Sequence, residues 1–228
     1  MFWFDPAYFL YVLIPTLLIS GGVQLYLSST YSHWRKVRNS AGATGEQVGQ
    51  ALFERTSLQP LPLRRAKGEL TDNFDPRDNV VNLSPNVATQ PSVASMAIVA
   101  HELGHVQQHQ QRSALMGVRN FLVPALTVSP MISYGAIFLG LILQVTGLIW
   151  IGILFFALMV LFSIVTLPVE IDASRRGLRL LREAGLMQTA EDSSGARKVL
   201  TAAGLTYLAA AVTAVLQLLY FVLLAQRN

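Results

Sequence analysis

The 228-residue chain is 52% hydrophobic and 13% charged, and its mean hydropathy is +0.44. Soluble domains carry about 25% charged residues, so this composition excludes an ordinary soluble protein. The chain has no cysteine and four histidines, which excludes a disulfide framework, a thiolate metal site and a cysteine nucleophile. Any bound metal must therefore be held by histidines and carboxylates. The net charge of +4 could indicate an acidic partner, but Lys and Arg also collect beside membrane spans.

Four apolar segments predict four transmembrane helices, since a helix that crosses the bilayer core needs about 20 residues. The predicted spans are about 8–29, 122–143, 147–168 and 202–224. We expect the first to be a retained anchor and not a cleaved signal peptide, because Met1 to Ala7 contain no basic residue. A short turn near Gln144 to Gly147 should join the second span to the third. We expect the third span to end at Pro168.

Two spans joined by a tight turn return the chain to its starting side, so the polar regions 31–120 and 170–201 should share one membrane face. Basic residues beside the spans lie on that face: Arg35, Lys36, Arg38, Arg112, Arg119, Arg175, Arg176, Arg197 and Lys198. The positive-inside rule predicts that this face is cytoplasmic. The placement of these basic residues beside the spans indicates that they interact with the lipid bilayer and not with a nucleic acid. We expect a single membrane domain over residues 1–228, with 31–120 and 170–201 forming its catalytic part.

The polar region 31–120 is predicted to combine helices with a small β-hairpin. An amphipathic helix is expected over about 44–55. The stretch from Leu70 to Ser84 should form the hairpin, with a turn around Asp75 to Arg77 and a strand from Asn79 to Leu83. A second helix should run from Pro91 and Ser92 through Gln111. The expected fold class is mainly α: a polytopic helical membrane protein with four transmembrane helices and a cytoplasmic α+β region.

The second of these helices contains the motif His101-Glu102-Leu103-Gly104-His105. Residues four apart on a helix project from one face, so the two imidazoles can bind a single ion. Glu102 lies about 100° around the helix from His101, which leaves it free to take a proton from a metal-bound water. This division of roles is typical of a zinc hydrolase and predicts one Zn²⁺ per chain. The alternative is a solvated helix face on which the two histidines bind no metal.

A catalytic zinc usually has three protein ligands, and two residues are candidates for the third. His109 lies about 12 Å along the helix from His101, which is too far unless the helix breaks, so a polar surface role is expected for it. Glu170 is the better candidate, because it follows the third span closely and lies on the same predicted face as the motif. Its alternative role is an interfacial carboxylate paired with an arginine. Asp172 and Ser174 are candidates to support the ligands.

From Leu70 to Arg176 the chain resembles the YugP-type membrane-bound neutral zinc metallopeptidases. The resemblance rests on the segments LTDNFDPR with the LS that follows, AHELGHVQQH, and LPVEIDASRR. It implies a bacterial, multi-pass inner-membrane endopeptidase with a zincin-like, gluzincin-like catalytic region that cleaves peptides or membrane proteins. His101 and His105 would be zinc ligands and Glu102 the catalytic base. The last segment is also similar to the ligand helix of HtpX and CAAX-type proteases, which usually carry an acidic residue where this sequence has Ser174.

Two further expectations concern substrate and mechanism. A strand edge beside the motif helix binds substrate in related metallopeptidases, and Val80 to Ser84 could supply it or be an ordinary hairpin edge. The oxyanion stabiliser could be Arg77, Arg175 or Arg176.

Three other functions remain to be weighed. An intramembrane protease is disfavoured by the polar residues on both sides of the motif helix. A transporter is disfavoured because the spans contain no charge. A non-catalytic membrane adaptor with a structural zinc remains the alternative, and in it Glu102 would be dispensable.

Overall fold

A computed structural model describes residues 5–227 and shows a mainly helical chain with one small sheet. Residues 1–4, on which part of the anchor expectation depends, and residue 228 lie outside the described residues. The elements in chain order are α1 (Pro6–Tyr8), a π-helical turn (Phe9–Leu13), α2 (Ile14–Trp34), α3 (Gly45–Arg55), β1 (Leu63–Arg65), β2 (Asn73–Asp75), β3 (Val80–Leu83), α4 (Pro85–Thr89), α5 (Val93–Gln110), α6 (Ala114–Leu143), α7 (Thr146–Glu183) and α8 (Ala190–Arg227).

Within residues 5–227, four helical segments are long and apolar enough to cross a membrane, as the sequence predicts. They are Pro6–Trp34, Ala114–Leu143, Thr146–Glu183 and Ala190–Arg227. Large apolar side chains on these helices face outward; Phe121, for example, is 82% exposed. Such exposure is costly in water but favourable in lipid, where the helix also satisfies its own backbone hydrogen bonds. The composition and the surface of these helices therefore both indicate a membrane protein.

Two helix boundaries test the predicted turns. The break between α6 and α7 lies at Gln144 and Val145, where Gln144 adopts a positive φ of 55° and the N–H of Val145 donates to the carbonyl of Gly140. This confirms the short turn. The third span was expected to end at Pro168; the helix itself does not end there, because α7 continues through that residue to Glu183. A proline removes one hydrogen bond of a helix, but membrane helices tolerate the loss when neighbouring groups compensate.

The chain divides into two compact units. The first comprises Met1–Gln24, Gly117–Pro168 and Leu205–Asn228. Its core consists of apolar and aromatic side chains of the apolar helices: Val12, Ile137, Ile149, Ile153, Phe156, Val160, Tyr220, Phe221 and Ala225. In this unit a Cβ atom on Gly152 would lie 2.6 Å from the carbonyl oxygen of Ser133, so glycine permits the close packing of α6 on α7.

The second unit comprises Leu25–Met116 and Val169–Gly204, and it contains the sheet. The strand order is β1-β3-β2, with β1 parallel and β2 antiparallel to β3. The hairpin of β2 and β3 confirms the predicted one, although Asn79 belongs to its turn, with a φ of 50°. The prediction that Val80 to Ser84 supply a free strand edge is wrong, because β3 is paired on both sides. The edge strand that contacts α5 is β2.

Helix α5 is the most buried element of the second unit. Ser92 caps its N-terminus by accepting a hydrogen bond from the N–H of Ser95. The buried face includes polar residues as well as apolar ones, among them Glu102, His105, Gln107 and Gln108. Burial of polar groups is costly unless they are hydrogen-bonded. The partners of these four side chains define the candidate site.

Candidate metal centre

Helices α5 and α7 approach each other closely at two glycines of the second unit. A Cβ atom on Gly104 would overlap the backbone carbonyl of Ala173, and a Cβ atom on Gly177 would lie 2.5 Å from the carbonyl oxygen of Ala100. Real Cβ atoms essentially never come within 3.0 Å of such a neighbour, so only glycine fits at either position. The close approach brings the side chains of the flanking turns within contact distance.

Three side chains with metal-ligating groups converge at this crossing. His101 and His105 lie one turn apart on α5, and Glu170 comes from α7. The Nε2 atoms of His101 and His105 lie 3.2 and 3.4 Å from the same oxygen, Oε2 of Glu170, and one ligand atom of each residue lies within 4.8 Å of the other two. Glu170 is only 2% exposed and His105 only 8%. The structure thus brings together the three residues that the sequence singled out.

The two distances from the histidine nitrogens to Oε2 of Glu170 fit a tetrahedral zinc ion. Ligand atoms about 2.0 to 2.2 Å from a tetrahedral ion are about 3.3 Å apart, and the two measured nitrogen-to-oxygen distances bracket this value. Two imidazoles and one carboxylate are also a ligand set found at catalytic zinc sites, where a fourth position is left for water. Among the residues that the structure describes, this group therefore has both the chemistry and the spacing for zinc.

The second nitrogen of each imidazole also has a partner. Nδ1 of His101 lies 3.1 Å from the hydroxyl of Ser174, and Nδ1 of His105 lies 3.0 Å from Oε1 of Gln108. Such contacts orient a metal-binding histidine and set which nitrogen carries the proton. Ser174 thus contacts His101 directly, whereas Asp172 is linked to His105 through Gln108, whose amide donates to the carboxylate of Asp172 over 2.8 Å.

Glu102 lies beside this group and is anchored by the sheet. Its Oε2 accepts a hydrogen bond of 2.8 Å from the backbone N–H of Phe74, in the edge strand β2. The contact is buried, so it fixes the carboxylate more firmly than a solvent-exposed contact would. Glu102 is not a member of the three-residue group.

The charge of the carboxylates raises the pKa of His105. Burial alone would lower this pKa, but the hydrogen bond to Glu170 and the negative charges of Glu102 and Glu170 outweigh the effect of burial. His105 therefore keeps its proton to a higher pH than an ordinary histidine does when no metal competes. A cation is therefore favoured at this position.

The remaining sequence candidates lie outside the three-residue group. The ring of His109 lies beside that of Phe74, with centroids 5.5 Å apart, and it is not part of the group. Arg176 donates to Asp172, Gln107 and Gln111. These bonds already occupy its guanidinium, which makes Arg176 the least available of the three candidates for oxyanion stabilisation.

Sequence reasoning missed two features of this site. Gln108 belongs to a glutamine-rich stretch that looks like a solvated surface, but its amide is 1% exposed and contacts His105. Gly177 gave no signal by itself, and Gly104 was noted only as part of the motif. Their shared pattern, an alanine four residues before a glycine in both helices, is the small-residue spacing that permits close helix contact.

The match to known proteins agrees with this geometry. The chain belongs to the family described as "Putative neutral zinc metallopeptidase", whose model matches residues 9–226. It is 33% identical over 220 residues, covering 95% of this chain and 96% of the relative, to the protein named "Putative membrane protease YugP" of Bacillus subtilis (strain 168). No solved structure matches the chain.

Proposed function

We propose that this protein is a zinc-dependent endopeptidase of the bacterial inner membrane that hydrolyses peptide bonds at the cytoplasmic surface. The observation that carries the proposal is the convergence of His101, His105 and Glu170 beside a separately anchored Glu102. A metal site without a neighbouring base would serve a structural role equally well. The anchored carboxylate is what favours hydrolysis.

The arrangement of the three ligand atoms supports a bound cation. When Nδ1 of each imidazole carries the proton, both Nε2 atoms present lone pairs. These lone pairs then face the carboxylate of Glu170 at 3.2 and 3.4 Å. Three electron-rich atoms at such distances repel one another unless a proton or a metal lies among them. Zn²⁺ suits the mixed nitrogen and oxygen ligands.

The roles of the residues follow from their positions. His101, His105 and Glu170 would hold one zinc ion, which when bound acts as a Lewis acid and lowers the pKa of a bound water toward about 7. Glu102 would accept the proton of the attacking water and pass it to the leaving amine. The N–H of Phe74 holds one oxygen of Glu102 in place. Proton transfer then begins from a fixed geometry, without a search among rotamers.

The location of the site rests on the charges beside the predicted spans. Basic residues follow or precede every span end on the side of the site, which by the positive-inside rule is cytoplasmic. We place the enzyme in one multi-pass membrane domain, with peptides or membrane proteins as substrates and the lipid bilayer as its environment. The edge of β2, next to α5, is the candidate strand for an extended substrate.

The test combines metal content and proteolysis in detergent-purified protein. Wild type should contain about one zinc per chain and cleave casein, whereas His101→Ala and Glu170→Ala should lose both properties. Glu102→Gln should keep the zinc and lose cleavage, because it removes only the base. His109→Ala is the matched control and should retain both. Absence of zinc from wild type would contradict the proposal. Full activity of Glu102→Gln in the cell, without detectable proteolysis, would instead support a non-catalytic adaptor.

A further inference from the structure

Gln108 is a buried amide with three hydrogen bonds, all to residues at or beside the candidate centre. Its Nε2 atom donates to the backbone carbonyl of Val169 over 2.9 Å and to Oδ2 of Asp172 over 2.8 Å. Its Oε1 atom lies 3.0 Å from Nδ1 of His105. The side chain therefore joins the motif helix to the ligand-bearing part of α7.

The chemistry of these partners fixes the orientation of the amide. A carbonyl and a carboxylate only accept hydrogen bonds, so the NH₂ group of Gln108 must face Val169 and Asp172. A flipped amide would place its oxygen against both acceptors. The carbonyl oxygen of Gln108 is left for His105, and because that oxygen cannot donate, Nδ1 of His105 must carry the hydrogen.

We propose that Gln108 is a positioning residue that holds His105 in the Nδ1–H tautomer and so directs the Nε2 lone pair to the metal. This inference rests on the proposed zinc centre, but the tautomer itself can be observed without any metal. A neutral histidine in water populates both tautomers, and only one of them offers Nε2 as a ligand. Gln108 supplies the acceptor that favours the hydrogen at Nδ1.

The orientation of Gln108 is itself supported by a charged pair. Asp172 accepts a hydrogen bond of 2.6 Å from Nε of Arg176, and the same guanidinium donates to Gln107 and to Gln111. Charge-assisted bonds of this kind are stronger than neutral ones. Arg176 thus fixes Asp172, and Asp172 fixes the amide of Gln108. That amide in turn orients the imidazole of His105.

Two substitutions separate this role from a merely structural one. Gln108→Met keeps the length of the side chain and removes the acceptor together with both donors. Gln108→Glu combined with Asp172→Asn keeps an oxygen acceptor for Nδ1 of His105 and avoids placing two carboxylates against each other, whereas the contact with Val169 is lost. A residue that only joins two helices should be damaged by both changes. A positioning residue should be damaged by Gln108→Met and largely spared by the double substitution.

The first measurement is the tautomer of His105 in metal-free protein that carries Glu170→Ala, because in wild type the Glu170 carboxylate lies 3.4 Å from Nε2 of His105 and competes for the hydrogen. ¹⁵N NMR of histidine-labelled protein, at a pH where the imidazole is neutral, distinguishes the protonated nitrogen from the unprotonated one. In this background we expect the Nδ1–H form of His105 with Gln108 and with Gln108→Glu/Asp172→Asn, and a mixture of tautomers with Gln108→Met. The control is Gln110→Met, the same change two residues further along α5, where the side chain bonds to Gln59.

The second measurement is zinc affinity, by competition with a chromophoric chelator. Loss of the residue that orients a metal ligand typically weakens metal binding by about 10- to 100-fold, and we expect this for Gln108→Met relative to Gln110→Met. Equal affinities and an unchanged Nδ1–H form in Gln108→Met would overturn the inference, as would equal damage by Gln108→Met and by the double substitution. If the Glu170→Ala protein shows the expected tautomer but wild type binds no zinc, the proposed function fails while the role of Gln108 stands.

Discussion

Gly104 and Ala173 lie against each other at the crossing of α5 and α7, where the α-carbon of the glycine faces the carbonyl of the alanine without space for a side chain. The relationship is reciprocal, because Gly177 faces Ala100 in the same way one turn further along. Each helix thus supplies one alanine and one glycine, four residues apart. This double contact sets the distance between the histidines and Glu170.

Substitution of Gly104 by Ala should disrupt the metal centre without changing any ligand. The added methyl group overlaps a backbone carbonyl, which cannot rotate away, so the helices must separate. Overpacking of this kind typically costs about 1 to 3 kcal/mol, and a shift of even a few tenths of an ångström spoils the ligand geometry. We expect zinc per chain to fall well below that of wild type, measured by metal analysis after size-exclusion chromatography.

Gly204→Ala is the matched control for this substitution. Gly204 also lies within a helix of the second unit, and a Cβ atom there would meet nothing within 4 Å. Alanine in a helix is more stable than glycine by about 1 kcal/mol, so this variant should keep its zinc and gain stability. Normal zinc content in Gly104→Ala would show that the crossing does not set the site.

Removal of the Ser174 hydroxyl should weaken metal binding through His101. The hydroxyl lies 3.1 Å from Nδ1 of that histidine, and loss of such a partner typically costs about 10- to 100-fold in affinity. Chelator competition with Ser174→Ala would measure the change. Arg175→Ala removes an exposed neighbour on the same helix and should bind zinc as wild type does. Equal affinities in the two variants would contradict a supporting role for Ser174.

Zinc should also raise the thermal stability of the purified protein. A ligand that binds only the folded state stabilises it by about 2.7 kcal/mol at 100 times its dissociation constant. Addition of zinc to the metal-free protein should therefore raise Tm, and the increase should disappear in His105→Ala. A similar increase in that variant would indicate that zinc binds elsewhere, and the candidate site would lose its support.

The membrane orientation can be tested with reporters fused at two positions. The turn at Gln144 should lie outside the cytoplasm, so alkaline phosphatase fused there should be active and GFP dark. Fusions after Gln188, which is exposed in the region expected on the cytoplasmic side, should give the opposite result. A cytoplasmic signal from the fusion at Gln144 would reverse the proposed location of the active site.

The sequence predicted the local elements better than the long-range ones. The hairpin of β2 and β3 and the four apolar helices follow from patterns within a few tens of residues. Nothing in the nearby sequence predicts the parallel pairing of β1 with β3, because β2 lies between these two strands in the sequence. The pairing places Leu63 opposite Val81. The continuation of α7 through Pro168 was missed for a related reason. Proline disfavours a helix locally, and only the surroundings decide whether the lost bond is tolerated.

For the candidate site, too, the sequence predicted some features and missed others. The spacing of His101 and His105 predicts a shared ion, and the order of the spans places Glu170 near them. The role of Gln108 could not be predicted from its neighbours, because its donors bond to residues 61 and 64 positions away. Such a contact exists only after two helices have packed, and the sequence around it reads as a polar surface.

The separation of the candidate ligands along the chain has a consequence for biosynthesis. Glu170 follows His101 by 69 positions, and the apolar segment from Ala114 to Pro168 is made between them. A ribosome-bound chain that carries only the histidines therefore lacks one of the three groups that would hold the metal. The centre can be completed only after the hairpin of two apolar helices has been synthesised. Under the proposed function, an unfinished chain would therefore have no peptidase activity.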